Sequence, residues 1–299
     1  MADGGFGPPR RGTPTESSPV ALDGSSAAHR PERVMHVVTL RAPISHPPED
    51  VWRDLTEGTR LSRWFADSGD LGPEGSFCFD FGDGDCFLGQ VTRWVPERFL
   101  GWEWRFMGLG PVFHIQFELV PEVDGTLVGV SDRGARTSAE ADSLRAGWVD
   151  FLSRLERFAT TGRTSRYEWS QTIGTAALTR EPPRSVLGTL SDPRWWRSGF
   201  EGADVALHSP GPNQVVADFH RADWGSAETR AVITVEASRG GAYVGITHEG
   251  WTALPPALQL PERRRFAALW ARLLAGLEGH SWGQAALLVA LLGPWLATH

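Results

Sequence analysis

Residues 99–106, FLGWEWRF, and residues 113–119, FHIQFEL, alternate large apolar and polar side chains along most of their length. Trp102, Trp104 and Phe117 fall on one side of this alternation, whereas Glu103 and Arg105 fall on the other. A two-residue period is typical of antiparallel strands with one buried face and one solvated face. These two segments therefore predict the centre of an antiparallel sheet.

The sequence on either side supplies more strands and three helices. Pro47-Pro48 followed by two acids predicts a helix start, Thr59–Phe65 predicts a second short helix, and Ser138–Thr161 has the three- and four-residue apolar spacing of a long amphipathic helix. Further strands are predicted over Val34–Arg41, Ser76–Phe81, Cys86–Val95 and Thr126–Asp132. The fold class is therefore α+β.

The same order of elements recurs in the second half of the chain. A strand over Trp169–Leu178 precedes Pro182-Pro183, which stands 135 residues after Pro47-Pro48. The long closing helices align at an offset of 118 residues, with Trp148 matched to Phe266. We expect a tandem duplication in which the second copy is 17 residues shorter in its middle, about one hairpin.

Four segments follow from this pattern. Residues 1–32 are rich in Gly, Pro and Ser and predict a disordered tail. Domains are expected over residues 33–163 and 167–280, with a helical extension over 281–299. The apolar run at 285–292 is far shorter than the ~20 residues that span a bilayer, and the tail lacks the pattern of a signal peptide. We therefore expect no membrane span and a cytoplasmic protein.

Composition excludes several classes of function. All 29 basic residues are arginine, so chemistry that needs a Schiff-base or phosphate-binding lysine is excluded. The net charge of -7 argues against a nucleic-acid partner, which would require a basic face. The 14 Trp and 15 Phe against 2 Tyr indicate a need for large rings without hydroxyl groups.

The two cysteines do not predict a disulfide or a metal site. A hairpin turn at 82–85 would place Phe81 beside Cys86 and Cys78 beside Gly89, so the thiols would not face each other. The Gly-Asp-Gly-Asp turn lacks the later ligands of a calcium loop. We expect reduced thiols, no metal and no cofactor.

Aromatic side chains concentrate on one face of the first sheet and on the helix that would cover it. Either they form a tightly packed core, or several of them line a hydrophobic cavity. Trp195, Trp196 and Trp251 stand near the expected cavity mouth of the second copy and are candidate gate or interface residues. The candidate cavity residues are Phe77, Phe79, Phe81, Trp102, Trp104, Phe106, Phe113, Ile115, Phe117, Trp148, Phe151, Leu152, Trp195, Trp196 and Trp251.

Polar candidates for chemistry are fewer, and no catalytic residue is assigned. A histidine could move a proton in an aldol-type cyclisation, and an arginine could orient a carbonyl or carboxylate. For each of these residues the alternative is a solvent-facing strand position. The candidates are His208, His220, His248, Asp218, Glu249, Arg105 and Arg230.

Two short segments carry a resemblance to a known family. The stretch from Val51-Trp52 to Arg63-Trp64-Phe65, together with GWVDFLSRL at 147–155, resembles the START-like (Bet v allergen-like, SRPBCC) superfamily. The first copy is most similar to the subfamily named after activators of the heat-shock-protein ATPase. The resemblance covers residues 33–162 well and 168–279 loosely. It implies two tandem helix-grip domains, each an antiparallel sheet wrapped on a long C-terminal helix around a hydrophobic cavity.

The resemblance also gives the expected function. Two-copy proteins of this kind are similar to START-like proteins of actinobacterial polyketide and enediyne gene clusters, in biosynthesis or self-resistance. We expect an elongated hydrophobic polyketide- or polyene-like ligand, with a polyketide synthase or another biosynthetic enzyme as a candidate partner. The alternatives are a polyketide aromatase/cyclase, which leaves enzymatic activity open, and a co-chaperone of a heat-shock ATPase.

Overall fold

A computed structural model describes residues 36–136 and 138–279, and its first half is a six-stranded antiparallel sheet with three helices. The strands follow the order β1-β6-β5-β4-β3-β2, so the chain meanders back from the far edge to β1. The elements are β1 (His36–Ile44), α1 (Pro48–Thr56), α2 (Gly58–Trp64), β2 (Ser76–Asp80), β3 (Cys86–Val95), β4 (Phe99–Phe106), β5 (Leu109–Glu122), β6 (Gly125–Ala135) and α3 (Ser138–Thr161).

The second half repeats this plan with a five-stranded antiparallel sheet in the order β7-β11-β10-β9-β8. Its elements are β7 (Ile173–Thr179), α4 (Pro183–Leu190), α5 (Pro193–Gly199), β8 (Asp204–Gly211), β9 (Gln214–His220), β10 (Thr229–Ser238), β11 (Gly241–Glu249) and α6 (Pro256–Leu277). The predicted fold class is confirmed: the chain is α+β and consists of two tandem helix-grip repeats.

The repeat offsets read from the sequence also hold in the structure. Helices α4 and α5 begin 135 residues after α1 and α2, and α6 begins 118 residues after α3. The expected loss of a hairpin is wrong, because the second sheet has only one strand fewer than the first. Residue count alone could not distinguish a missing strand and a shortened loop from a missing pair of strands.

Each repeat buries the inner face of its sheet against its own long helix. In the first repeat, alternate residues of β4 and β5 such as Trp102 and Phe117 join Trp148 and Leu155 of α3 in one core. In the second repeat, Phe219 and Ile233 join Phe266 and Trp270 of α6. Burial of this apolar surface, at ~25 cal/mol per Å², is the main force holding each helix to its sheet.

The turn between β2 and β3 joins the two repeats. Gly84 of this turn lies against α6 so closely that a Cβ atom there would stand 2.9 Å from the Arg264 Cα. Arg263 of α6 is fully buried and donates to Asp85 Oδ2 at 2.8 Å and to the Thr172 carbonyl at 3.0 Å. Asp83 is also fully buried and accepts the Ser170 N–H at 2.7 Å. The Gly-Asp-Gly-Asp turn is therefore the docking element between the repeats.

Further polar contacts also join the two repeats. Glu278, just beyond α6, accepts the N–H groups of Gly110 and Leu178 at 2.9 and 2.8 Å. The Tyr243 hydroxyl donates to Glu140 Oε1 at 2.9 Å. Because these contacts come from strands and helices of both repeats, the relative position of the two sheets is fixed at several points.

The predicted tail at residues 1–32 and the predicted extension at 281–299 lie outside the described residues. The domain bounds 33–163 and 167–280 stay predictions. Among the helices of the described residues, none is long and apolar enough to cross a membrane.

Candidate functional site

The predicted cavity residues of the first repeat meet on one face, between the sheet and α3. Eight are buried in its core and three are partly buried against it. Neighbouring ring centroids within this group lie 4.4–6.3 Å apart, the range of direct aromatic packing. The buried residues are Phe79, Phe81, Trp102, Trp104, Ile115, Phe117, Trp148 and Leu152, and the partly buried ones are Phe77, Phe113 and Phe151.

Phe106, predicted with this group, lies elsewhere. A register irregularity between Trp104 and Phe106 in the β4–β5 pairing pairs Phe106 with Leu109. Both residues then pack into the core of the second repeat, together with Met107 and Cys86. Strict alternation cannot anticipate such an irregularity, which redirects the end of a strand.

Phe65 lies at the centre of the first-repeat rings, although no alternation or helical spacing assigns it to the site. It follows α2 directly and is 1% exposed. Its ring centroid lies 4.7 Å from that of Phe151, 5.2 Å from that of Phe79 and 6.3 Å from that of Trp148. The Phe65 side chain therefore fills part of the space between the sheet and α3.

Asp132 is a buried carboxyl group on this same inner face. It lies in β6, is 1% exposed, and accepts the Trp148 indole N–H through Oδ2 at 2.8 Å. Its Oδ1 atom is buried and has no partner within the protein. Burial raises the pKa of Asp132 to about 6, and the bond from Trp148 opposes this rise. In the sequence Asp132 appears only as a polar strand end, so nothing there signals its position.

A second polar atom without a partner lies in the same cross-strand row. Trp102 in β4 pairs with Ile115 in β5, which pairs with Asp132 in β6. The Trp102 Nε1 atom is buried and unpartnered, and the residue is 1% exposed. At a strand spacing of about 4.8 Å, the Trp102 and Asp132 backbones stand about 10 Å apart. Ile115 therefore lies between Trp102, which carries an unsatisfied donor, and Asp132, which carries an unsatisfied acceptor. Apolar residues surround them on this face of the sheet.

The raised pKa of Asp132 makes a prediction about stability. The folded-state value of about 6 exceeds the unfolded value of about 3.9, so the contribution of Asp132 to stability is present below about pH 4 and is lost as the pH rises through 6. The D132N variant should therefore gain ~2–3 kcal/mol relative to the wild type between pH 4 and 7, measured by urea unfolding. The D124N variant changes a carboxyl group at an exposed turn and should track the wild type. If the unfolding free energies of D132N and the wild type changed in parallel between pH 4 and 7, the raised pKa of Asp132 would be contradicted.

The second repeat satisfies its buried histidine, whereas Thr175 Oγ1 and Trp224 Nε1 of the same repeat are buried without a partner. His248 in β11 is 0% exposed, its Nε2 bonds Thr229 Oγ1 at 2.9 Å, and its Nδ1 accepts the Trp270 indole N–H at 2.9 Å. Burial holds the pKa of His248 well below its usual value. In both repeats an indole N–H of the long helix therefore bonds a polar side chain of the last strand. In the second repeat the ring has no nitrogen left for a ligand.

The predicted gate tryptophans lie in and beside the second-repeat core. Trp196 is 1% exposed and donates to the Leu190 carbonyl at 2.7 Å, whereas its neighbour Trp195 is only partly buried. Trp251 is fully buried, with its ring centroid 4.4 Å from that of His248. The Trp196 and Trp251 rings pack in the core of the second repeat, and a role for them at a cavity mouth stays a prediction.

The remaining polar candidates lie outside the sheet cores. Arg230 is exposed and donates to Asp218 at 2.6 Å, and His208 lies 3.1 Å from the same carboxylate. Arg105 is exposed. A surface cavity of about 490 Å³ includes Asp218 and Glu249, and another of about 410 Å³ includes Asp218 and His220. Within residues 36–136 and 138–279, no three His, Cys, Asp or Glu side chains are grouped to hold a metal ion.

Together, the two sheets, each closed by its own long helix, define the class of fold: a tandem helix-grip fold. Residues 45–160 match the family described as activator of Hsp90 ATPase homolog 1-like protein. This match covers most of the first repeat and includes the Val51-Trp52 and Gly147-Trp148 segments. A search of curated proteins found no match.

Solved structures extend the likeness over both repeats. DynU16, a protein of the dynemicin biosynthetic locus, aligns at 24% identity and a TM-score of 0.67, over 81% of this chain and 98% of its own. CalU16 from Micromonospora echinospora is 26% identical over 43% of this chain and 78% of its own, with a TM-score of 0.38. MLL2253 from Mesorhizobium loti is 23% identical over 42% of this chain and 97% of its own, with a TM-score of 0.39. The likeness to DynU16 shows a shared fold.

Proposed function

We propose that this protein binds an elongated, apolar, unsaturated small molecule between the first sheet and α3, in polyketide or enediyne biosynthesis or in self-resistance. The observation that carries the proposal is the pair of unpartnered buried atoms, Trp102 Nε1 and Asp132 Oδ1, within the aromatic wall. Leaving a buried polar group unsatisfied costs about 1–3 kcal/mol, and a ligand that bonds both atoms would recover this.

The chemistry of the wall indicates the class of ligand. Flat conjugated molecules pack well on indole and phenyl rings, and rigid rings bury much apolar area at low entropic cost. A carbonyl oxygen on the ligand would accept from Trp102, and a hydroxyl or enol group would donate to Asp132. A polyketide-derived chain carries both kinds of group. The presence of DynU16 in a biosynthetic locus supports the same class of ligand.

The proposal favours the first repeat over the second. Both nitrogens of His248 are occupied by Thr229 and Trp270, whereas one oxygen of Asp132 has no protein partner. We assign ligand binding to the first repeat and a supporting structural role to the second. The domain bounds 33–163 and 167–280 are kept as part of this proposal.

Titration with parinaryl alcohol, a conjugated tetraene whose hydroxyl group can both donate and accept a hydrogen bond, tests the binding function. We expect saturable quenching of tryptophan emission with energy transfer to the tetraene. The W102F and D132N variants should each weaken binding by about tenfold, ~1.4 kcal/mol, because one removes the donor and the other turns an amide N–H toward the ligand. W195F is the matched control in the second repeat. Absence of quenching at saturating tetraene, or equal weakening by all three substitutions, would contradict the proposal.

A second candidate function, cyclisation of a poly-β-keto chain, is favoured by Asp132 alone. A carboxyl group with a pKa of about 6 can both accept and donate a proton near neutral pH. In an aldol-type step it would take a proton from a methylene carbon between two carbonyls. The test is the product profile of a reconstituted polyketide synthase with wild-type protein or D132N. An unchanged profile on adding the wild type would leave binding as the only function.

A further inference from the structure

The expectation that Cys78 and Cys86 do not face each other is wrong. The pairing of β2 with β3 sets Cys78 opposite Leu88 and Asp80 opposite Cys86, one residue away from the predicted register. This shift places both cysteines on the same face of the hairpin, diagonally across the two strands. Their Sγ atoms lie 2.6 Å apart, and both cysteines are free thiols. A disulfide bond is about 2.05 Å long, so only a small shift separates the thiols from bonding distance.

The thiol pair lies at the base of the turn that docks the first repeat onto the second. Cys86 is 3% exposed and belongs to the core of the second repeat, and Cys78 is partly buried against that core. The Cys86 carbonyl also accepts the Met107 N–H at 2.6 Å. A bond between the two sulfurs would therefore close the strands that hold the docking turn, without requiring either strand to move far.

We propose that Cys78 and Cys86 are a redox modification site that a low-molecular-weight disulfide, such as oxidised glutathione, converts to an intramolecular disulfide. The Cys78 thiolate attacks one glutathione sulfur, forming a mixed disulfide and releasing one glutathione thiolate. Cys86 then loses its proton and attacks the Cys78 sulfur, releasing the second glutathione. The two protein thiols are oxidised, the one glutathione disulfide is reduced to two thiols, and the two protons leave with them.

The surroundings assign different roles to the two cysteines. Cys78 is the more accessible, and the hydrogen bond from Cys86 holds the pKa of Cys78 below its usual value. The same contact, together with burial, raises the pKa of Cys86. Cys78 is therefore the thiol attacked first from solution, and Cys86 is the resolving thiol.

Mass spectrometry of the folded full-length chain tests this site. The chain is incubated with oxidised glutathione, blocked with N-ethylmaleimide and digested with trypsin, which places both cysteines in the peptide 64–93 because no arginine lies between Arg63 and Arg93. We expect this peptide to lose the mass of two hydrogen atoms and to take up no maleimide. The equilibrium constant for disulfide formation should be at least about tenfold higher in the native protein than in guanidinium.

Two variants separate the roles of the thiols. C86S should retain glutathione on Cys78 as a stable mixed disulfide, because the resolving thiol is absent. C78S should remain free of glutathione, because Cys86 is buried. The site is refuted if the folded wild type keeps both thiols open to maleimide, accumulates a lasting mixed disulfide, or forms only intermolecular disulfides. The assigned order is refuted if Cys86 in C78S reacts as fast as Cys78 in C86S.

Discussion

The R263M variant is expected to lose about 3–5 kcal/mol of unfolding free energy. Arg263 is 0% exposed, and its guanidinium group lies 2.8 Å from Asp85 Oδ2 and 3.4 Å from Asp83 Oδ1. Methionine keeps most of the aliphatic volume but leaves two carboxylates without their cation. Because Asp83 is also 0% exposed, water cannot replace the lost partner unless the turn leaves α6. Urea unfolding measures the loss.

The pH dependence of this loss distinguishes a missing charge from a packing defect. Burial already raises the pKa of Asp85 to about 7, and Arg263 opposes that rise. Without the arginine the folded-state pKa rises further above its unfolded value, so the variant is favoured at low pH and loses stability as the pH increases. We expect a smaller destabilisation at pH 5 than at pH 8. R194M, which removes an exposed ion pair with Asp192, should unfold at the same urea concentration as the wild type at either pH. A pH-independent loss in R263M would indicate packing alone.

The F65A variant is expected to lose a comparable 3–5 kcal/mol and to gain ligand affinity. The Phe65 ring contacts those of Trp64, Phe79, Phe81, Trp104, Trp148 and Phe151. Removing it leaves an apolar space between the first sheet and α3, beside the atoms assigned to the ligand. Parinaryl alcohol should bind F65A at least about tenfold more tightly than it binds the wild type, when both are measured below the unfolding midpoint.

The duplication supplies the matched control for F65A. Phe200 stands 135 residues later, is 0% exposed, and contacts the rings of Trp196, Phe219, Phe266 and Trp270. F200A should lose a similar amount of stability. It should not bind the tetraene more tightly, because both nitrogens of His248, the counterpart of Asp132 in the second repeat, are occupied by Thr229 and Trp270. Equal gains in affinity for F65A and F200A would contradict the assignment of the ligand to the first repeat.

Patterns with a short period were sufficient to predict most of the architecture. The alternation in residues 99–105 and 113–119 predicts which side chains face the core of the first repeat, because one residue of shift would expose every ring. The proline pairs mark the starts of α1 and α4, since proline is well suited to the first turn of a helix. The offsets of 135 and 118 residues then place the elements of the second repeat.

Contacts between residues distant in sequence could not be predicted in the same way. Arg263 belongs to a run of three arginines, and from the sequence this run is compatible with a solvated helix face. Arg263 is buried only because the docking turn packs against α6. The sequence pattern places Asp132 at the polar end of a strand. Its carboxyl group is buried because β1, β5 and α3 pack around it. The pairing of the strands that carry Cys78 and Cys86 depends on the conformation of the turn at residues 82–85. A shift of one residue in this pairing decides whether the two thiols lie on the same face of the hairpin. Such sites depend on tertiary structure, which local pattern does not encode.

The burial of Arg263 between the repeats has an evolutionary consequence. A duplicated repeat begins as an interchangeable module, but here one copy provides the carboxylates of Asp83 and Asp85 and the other provides the guanidinium. Recombination that replaces one copy without the other would bury charges of a single sign and destabilise the product. The two copies are therefore inherited as one selectable unit, and an engineered exchange of repeats between relatives must carry both sides of this ion pair.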